Sequence, residues 1–335
     1  FFLGAGRPGV ALTIERSDLA ALEPEWREVL AGCPRQYPFF SPTWLRTWWG
    51  VFENAHELVL LAVRDGERLA GVLPFMRDGG RITFAGDTEI CDYMDIIAPN
   101  GDYVGLWTAA LRALGEEPWD EIALWAVRED SATSAALPVV CKELGLAFSA
   151  EQEDVCPQLD LPGDWEDYVS GLSKKDRHEL RRKMRKLPQA GRVELEVLEL
   201  PADMEPALDD FLRMHRESRA DKANFMTDQM EVFFRRLVVA LAAEGVAEMT
   251  FLKLADVRAA CLLCFKAGDE YLLYNSGYDP AYAGFSVGLL SKAFALQHAI
   301  ERGYKRFDFL RGHEHYKYDL GAKDVNVYSF VIRRA

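Results

Sequence analysis

Between Asp308 and Tyr318 the chain sets two carboxylates, Asp308 and Glu314, two cations, Arg311 and Lys317, and two tyrosines, Tyr316 and Tyr318. These are the parts of proton-transfer chemistry: Glu314 or Asp308 to accept a proton, Tyr316 or Tyr318 to donate one, and Lys317 or Arg311 to hold an anion. Asp308 alternates with Phe307 and Phe309, so capping or pairing within the fold is the competing reading, as a solvated side chain is for Lys317. His313 and His315 flank Glu314 like a metal pair, yet no further His or Cys follows at ligand spacing, and no metal is expected. Cys261 and Cys264 stand three apart on an expected strand, where they point to opposite faces and read as core thiols.

Those residues need a frame, and the preceding segment predicts it. Tyr271–Tyr274 runs through Asn275, Ser276, Gly277, Tyr278 and Asp279 and a loop containing Gly288 into a helix, followed by Lys305–Leu310. The order is strand, glycine-bearing turn, helix, strand. It sets the free amides of a helix N-terminus beside a strand end, where they can hold a phosphate or pyrophosphate. From Ser286 to about Arg302 the helix carries Leu289, Leu290, Ala293, Phe294, Leu296 and Ile300 on an apolar side, and Gly303 supplies the stop.

This arrangement resembles the cofactor-binding core of the GNAT acyltransferases, whose loop before the third helix wraps the pyrophosphate of coenzyme A. Gly277-Tyr-Asp-Pro280, Ser286-Val-Gly288, Phe307-Asp-Phe-Leu-Arg-Gly312 and Tyr316-Lys-Tyr318 are similar to the CelD-like or BioF2-like branch of that superfamily. The C-terminal half reads in the family's order: strand Val193–Leu200, helices Ala202–Arg219 and Thr227–Glu244, strands Ala247–Ala255, Arg258–Ala267 and Glu270–Gly277, the helix from Ser286, strand Lys305–Leu310 and a last strand Asn326–Arg333. The resemblance implies an α/β (α+β) fold with a mixed, mostly antiparallel sheet flanked by helices. It implies acetyl-CoA or another acyl-CoA as co-substrate, held by Tyr274, Asn275, Gly277, Phe285, Ser286, Val287, Gly288 and Leu289, with Gly277 permitting a splayed strand end. Only Gly288 remains of the family's paired small residues at the loop's tight point. The cluster Asp308, Arg311, Glu314, Tyr316 and Lys317 then lies near the thioester and carries catalysis.

The chain has 335 residues, 49% hydrophobic, enough for two domains with cores of their own. Residues 1–160 hold 12 Lys and Arg against 26 Asp and Glu, whereas residues 161–335 hold 27 of each, so the net charge of −14 belongs to the first half. That half repeats the organisation more faintly: strand Val10–Glu15, helices Leu19–Ala31 and Ser41–Phe52, a hairpin of Leu58–Arg64 with Arg68–Met76, a strand Tyr93–Ile97, helix Tyr103–Leu114 and strand Glu121–Ala126. Its turn before the third helix, Pro99-Asn-Gly-Asp102, sets an acid where a phosphate would sit. The expectation is two tandem GNAT-like domains, 1–160 degenerate and 161–335 catalytic. Trp44, Trp48 and Trp49 at helical spacing read as core. Six scattered cysteines and no signal-like opening predict a reducing cytoplasm, and no apolar run reaches the roughly 18 residues of a membrane span.

A basic helix opening at Ser173 carries Arg177, Arg181 and Arg185 on one stripe. Like charges in that register call for an anionic partner, either the acidic half or an anionic acceptor. A cationic patch in an acidic protein favours a specific anion over general DNA coating. The loop bearing His215, Arg219 and Lys222, together with Asp279, completes the expected acceptor side. The resemblance implies transfer of an acyl group to an amine of a small or glycan-type acceptor, with a place in bacterial cell-envelope or polysaccharide biosynthesis. A degenerate first half before a competent second also resembles the Fem-type peptidyl transferases, with Tyr316-Lys317 and Leu320-Gly321 at the place of that family's Phe-Lys and Phe-Gly; this implies aminoacyl-tRNA as the alternative donor. A GNAT fold that only binds is the third reading.

Overall fold

The computed structural model describes residues 12–52, 56–99 and 101–334. Val10 and Ala11 of the first expected strand, and Asn100 of the acidic turn, lie outside the described residues. The chain divides into two compact units, Phe1–Arg46 with Glu53–Glu153 and Asn326–Ala335, and Thr47–Phe52 with Asp154–Val325. Each is built on one mixed sheet flanked by helices.

The first sheet uses β1 (Thr13–Arg16), β2 (Glu57–Asp65), β3 (Arg68–Asp78), β4 (Arg81–Phe84), β5 (Glu121–Arg128) and β6 (Leu146–Val155), with helices α1 (Leu19–Ala31), α2 (Pro42–Phe52), α3 (Tyr103–Gly115) and α4 (Ala132–Leu144). Local chemistry sets its ends. The Asp18 carboxylate accepts the amides of Ala20 and Ala21 at the start of α1, and Ser131 accepts that of Thr133 at the start of α4. Trp44 and Trp48 are buried, and Trp49 packs on Trp48 at 5.8 Å between ring centres, so the tryptophan stripe is core. Tyr93–Ile97 is not a strand; it makes one bridge, Val72 with Ile97, and the strand that pairs β3 with β5 is Arg81–Phe84.

The second unit runs β7 (Gln158–Asp160), α5 (Trp165–Gly171), α6 (Lys174–Lys186), β8 (Val193–Leu198), α7 (Pro201–Ser218), α8 (Ala220–Phe225), α9 (Asp228–Ala243), β9 (Ala247–Leu254), β10 (Val257–Ala267), β11 (Glu270–Tyr278), α10 (Val287–Glu301), β12 (Arg306–Asp308) and α11 (His315–Asp319). Its sheet order is β7-β12-β11-β10-β9-β8, parallel only between β11 and β12. Leu262, Tyr271, Leu273, Leu290, Leu296 and Phe307 interlock in one core between the sheet and α10. A large apolar side chain buried there stabilises by about 1.5–3 kcal/mol.

Two sequence assignments change. The last strand, β13 (Asn326–Arg334), belongs to the first sheet, where it lies between β5 and β6 and pairs Val327 with Arg128 and Arg333 with Glu121. The 160/161 boundary moves back to Glu153/Asp154, because Gln158–Asp160 pairs antiparallel with β12. Hydrophobic alternation shows that a segment is a strand but does not name its partner, which is why both were misplaced.

Candidate active site

β11 and β12 pair only through Glu270–Leu272 and Arg306–Asp308. Beyond Leu272 the β12 side of β11 has no strand partner, while its other edge stays on β10 as far as Tyr278. The register with β10 shifts at Tyr274, Leu263 facing Asn275 and Cys264 facing Leu273, a bulge that turns the strand end. The splay expected from the sequence is present, with its cause at Tyr274 instead of Gly277. Gly277 has a different duty: a Cβ there would lie 2.5 Å from the His215 amide nitrogen, so only glycine lets α7 approach β11 so closely. The Tyr274 ring faces Phe265 and Phe234, at 4.8 and 5.9 Å, within the aromatic core.

After β11, the Asp279 carboxylate accepts the Ala281 amide at 2.9 Å and opens a 3-10 turn over Pro280–Phe285. Ser286 then takes a left-handed conformation, φ 59°, and α10 begins without a side-chain cap. The Ser286 amide is spent on the Ala283 carbonyl and that of Leu289 on the Ser286 carbonyl. Val287 and Gly288, in the first turn, have no intrahelical acceptor, so the amides expected to face a pyrophosphate narrow to these two. A Cβ on Gly288 would stand 3.0 Å from the Tyr278 ring.

These elements enclose a cavity of about 310 Å³ lined by Ser218, Arg219, Lys222, Ser276, Tyr278, Ala283, Ser286, Gly288, Leu289, Lys292, Glu314 and Tyr316. Two lysines dominate its floor. Lys292 is buried, donates to the Gly288 carbonyl at 2.8 Å and lies 4.9 Å from the centre of the Tyr316 ring. Burial, reinforced by the charge of Lys222, pushes it down to about 7. Lys222 donates to the Ser276 carbonyl and, at 3.3 Å, to its hydroxyl; burial pushes it down to about 8. Burial drives the Tyr316 phenol well above its ordinary range, which keeps it protonated. Burial also raises Glu314, but Lys317 at 2.9 Å outweighs it and holds the carboxyl below the usual carboxylate range. The pocket thus joins a protonated phenol, an ionised carboxylate, two amines of reduced basicity and free helix amides.

Of the sequence candidates, Arg219, Lys222, Ser286, Gly288, Leu289, Glu314 and Tyr316 line this cavity. His215 is buried beside it; its Nε2 meets Asn275 Oδ1 at 3.0 Å, its Nδ1 has no partner, and burial with nearby Lys222 pushes it down to about 4. Asp308 is sealed: Gln158 donates to Oδ2 at 2.6 Å and the Leu310 amide to Oδ1 at 2.8 Å, which holds Leu310 at φ 55°. Lys317 is buried as well and points away from solvent, donating at 2.9, 2.7 and 2.9 Å to the carbonyls of Leu310, Arg311 and Gly312. Both read as fasteners of the loop that carries Glu314 and Tyr316. Asp279 and Phe285 build the turn: Asp279 also pairs with Arg213 at 3.7 Å, and Lys186 stands 5.5 Å from the centre of the Phe285 ring. Arg177 and Arg181 on α6 are not in the cavity lining; Arg177 donates to the Ser170 carbonyl at 2.7 Å and Arg181 pairs with Glu166 at 3.1 Å. Cys261 and Cys264 are free and buried, and no metal-holding group of His, Cys, Asp or Glu occurs among the described residues.

Lys292 is the residue that sequence reasoning missed. Its signal is a single lysine inside the apolar stripe Leu289, Leu290, Ala293 and Leu296, one turn after Gly288. A cation in that register is costly to bury unless something meets it.

Residues 174–318 match the family described as an acetyltransferase (GNAT) domain. Solved structures similar to nearly the whole chain include FemX (12% identity, covering 94% of this chain and 96% of that one, TM-score 0.64) and L-PGS from Bacillus licheniformis (12%, 96% and 93%, TM-score 0.59). A tandem GNAT protein from the clavulanic acid biosynthesis pathway aligns at 13% identity over 95% of this chain and 98% of that one, TM-score 0.52. At these identities the likeness is one of fold. No curated protein sequence matches the chain. No helix among the described residues is long and apolar enough to cross a membrane.

Proposed function

We propose that the second unit, whose residues 174–318 match the family described as an acetyltransferase (GNAT) domain, is an N-acyltransferase that moves an acyl group from acyl-CoA to an amine on a small or glycan-type anionic acceptor, in envelope or polysaccharide synthesis. The observation that carries this reading is the convergence, in one cavity, of Gly288 in the uncapped first turn of α10 with Lys222, Lys292, Glu314 and Tyr316. The residues fit the donor: a left-handed Ser286, two unspent amides and a glycine without room for a side chain make a cradle for an anion at a helix N-terminus. When bound, acyl-CoA supplies the activated carbonyl.

The chain's own groups divide the remaining work. Val287 and Gly288 hold the pyrophosphate, and the unpaired edge of β11 orients the acyl arm. Glu314, ionised through Lys317, accepts the proton of the acceptor amine, and Tyr316, kept protonated by burial, donates one to the departing sulfur. Lys222 and Arg219 attract an anionic acceptor at the other wall. Lys292 holds the Gly288 carbonyl and so fixes the first turn of α10.

The test is thermal shift with coenzyme A and acetyl-CoA, followed by mass spectrometry of products formed from a panel of amino sugars and small amines. A ligand at a hundredfold excess over its Kd stabilises by about 2.7 kcal/mol. No shift at millimolar CoA overturns the donor assignment. A shift with aminoacyl-tRNA in its place moves the chain to the Fem-type reading.

A further inference from the structure

The first unit holds a cavity of its own, of about 160 Å³. Its position repeats that of the acyl cavity. In the second unit the cavity is lined by the α7–α8 junction, the β11–α10 connection and the loop after β12. In the first it is lined by the α1–α2 connection (Cys33, Arg35, Phe40), the segment before α3 (Tyr93–Ala98) and the loop after β5 (Arg128–Ala132). These are the same three chain positions of the repeated fold. Each repeat also bends a non-glycine residue into the left-handed region near the strand that follows α3 or α10: Ala126 at φ 54° inside β5, and Leu310 at φ 55° just after β12. Such strain persists where surrounding contacts fix a site.

The lining chemistry differs. Asp102 caps α3 by accepting the Gly105 amide at 2.9 Å, so a carboxylate stands where the second unit leaves amides open. The cationic group here is Arg128, 4% exposed, which grips Asp130 with Nε and Nη2 at 2.8 and 3.0 Å. Its Nη1 is buried and has no acceptor. A buried guanidinium N–H without a partner is unfavourable, and a ligand acceptor would satisfy it. Arg35 reaches the same Asp130 at 2.5 Å from the rim. Asp95 also lines the space and is organised by the hydroxyls of Ser131 and Thr133 and by the Ile96 amide; burial raises it to about 6, so it is still anionic at neutral pH. Two cations and two carboxylates line the space. Net neutrality disfavours a polyanion, and the presence of both signs in one small space favours a small molecule that carries both.

We propose that the first unit is a second ligand site, taking a small zwitterion of the α-amino acid class with its carboxylate on Arg128 and its ammonium towards Asp95. The volume suits a small side chain only. The site does not depend on the acyl-transfer reading of the second unit.

Ligand-observed saturation-transfer NMR and calorimetry on the full chain test this with glycine, L-alanine, L-serine and L-leucine. Propionate, ethylamine and phosphate serve as one-charge and polyanion probes. Expected is saturable binding of at least one amino acid, at least tenfold weaker binding of propionate and ethylamine, and no competition by phosphate. Asp95→Asn should weaken binding at least tenfold. Because Arg128 and Asp95 also hold their loops, Ala132→Leu provides a second variant that fills the cavity from its exposed rim without deleting a polar group, and it too should abolish binding. Gly288→Glu, in the other unit, should leave amino-acid binding unchanged. The proposal fails if no amino acid saturates up to tens of millimolar, if phosphate or propionate binds as well as the amino acid, or if Gly288→Glu removes the signal while Ala132→Leu keeps it.

Discussion

Replacing Lys317 with methionine separates a catalytic lysine from a structural one. The ammonium donates to the carbonyls of Leu310, Arg311 and Gly312 within 2.9 Å and pairs with Glu314 at 2.9 Å. Methionine keeps most of the stem's volume and deletes every donor. A carbonyl left buried without a donor costs about 1–3 kcal/mol, and loss of one partner of a buried ion pair about 3–5 kcal/mol. Glu314 is half exposed and can turn to water, so the three carbonyls set the scale, roughly 3–5 kcal/mol once the loop relaxes. At about 2–4 °C per kcal/mol for a domain of this size, Tm should fall by about 6–20 °C. Lys317→Arg should not restore it, because a planar fork cannot aim three donors at carbonyls that converge on one point. Calorimetry and urea unfolding give the stability, and CoA titration well below the transition gives donor binding. A variant with wild-type Tm and abolished turnover would refute the reasoning and return Lys317 to the reaction.

Gly288→Glu should remove the CoA-induced rise in Tm, since the new side chain starts 3.0 Å from the Tyr278 ring and brings a carboxylate to the first turn of α10; a wild-type shift in that variant refutes the cradle. Tyr316→Phe should lower kcat about a hundredfold with the CoA shift intact, the usual scale for a lost general acid; wild-type turnover would dismiss the phenol as proton donor. For Lys292 the sign is fixed by its depressed value: the unfolded chain binds the proton more tightly, so the burial penalty is full below about pH 7 and is relieved as pH rises towards 10. Wild type should therefore gain stability relative to Lys292→Met across that range, by up to about 1.4 kcal/mol per pH unit, and parallel urea midpoints in both proteins would contradict a depressed Lys292. Changing Arg177, Arg181 and Arg185 together to Gln should cost less than about 1 kcal/mol, because Arg181 holds only an exposed pair; a rise in the acceptor's KM that vanishes at high salt marks α6 as an acceptor surface, and unchanged KM removes that role.

The part of the fold legible in the sequence is the part that local rules determine. The apolar side and glycine stop of α10, with the order of segments implied by the resemblance, located α7, α9 and α10 to within a residue or two and placed β9, β10 and β11 as consecutive strands, which pair antiparallel. A three-residue separation on a strand likewise excluded a disulfide between Cys261 and Cys264. What local rules omit is pairing across long separations. Asn326–Arg334 alternates as well as any strand, yet its partners are about 200 residues away, at Glu121–Arg128. Nothing in its own pattern distinguishes that sheet from the nearer one.

The same limit governed the site. Residue type and spacing marked Asp308–Tyr318 as reactive, and the cavity does receive Glu314 and Tyr316 from it. Asp308 and Lys317, the more eye-catching charges, turned inward, because a loop entering the left-handed region at Leu310 leaves an amide and three carbonyls in need of partners, and a buried carboxylate and ammonium supply them. Lys292 and Lys222 went the other way. One is isolated in an apolar stripe and the other stands on the short helix α8, where the sequence reads as loop, and only the meeting of α8 with the first turn of α10 makes them a pair. A charged residue in a sequence announces that it must be satisfied; whether the backbone, a ligand or water satisfies it is decided by elements that the residue's neighbours in the chain do not contain.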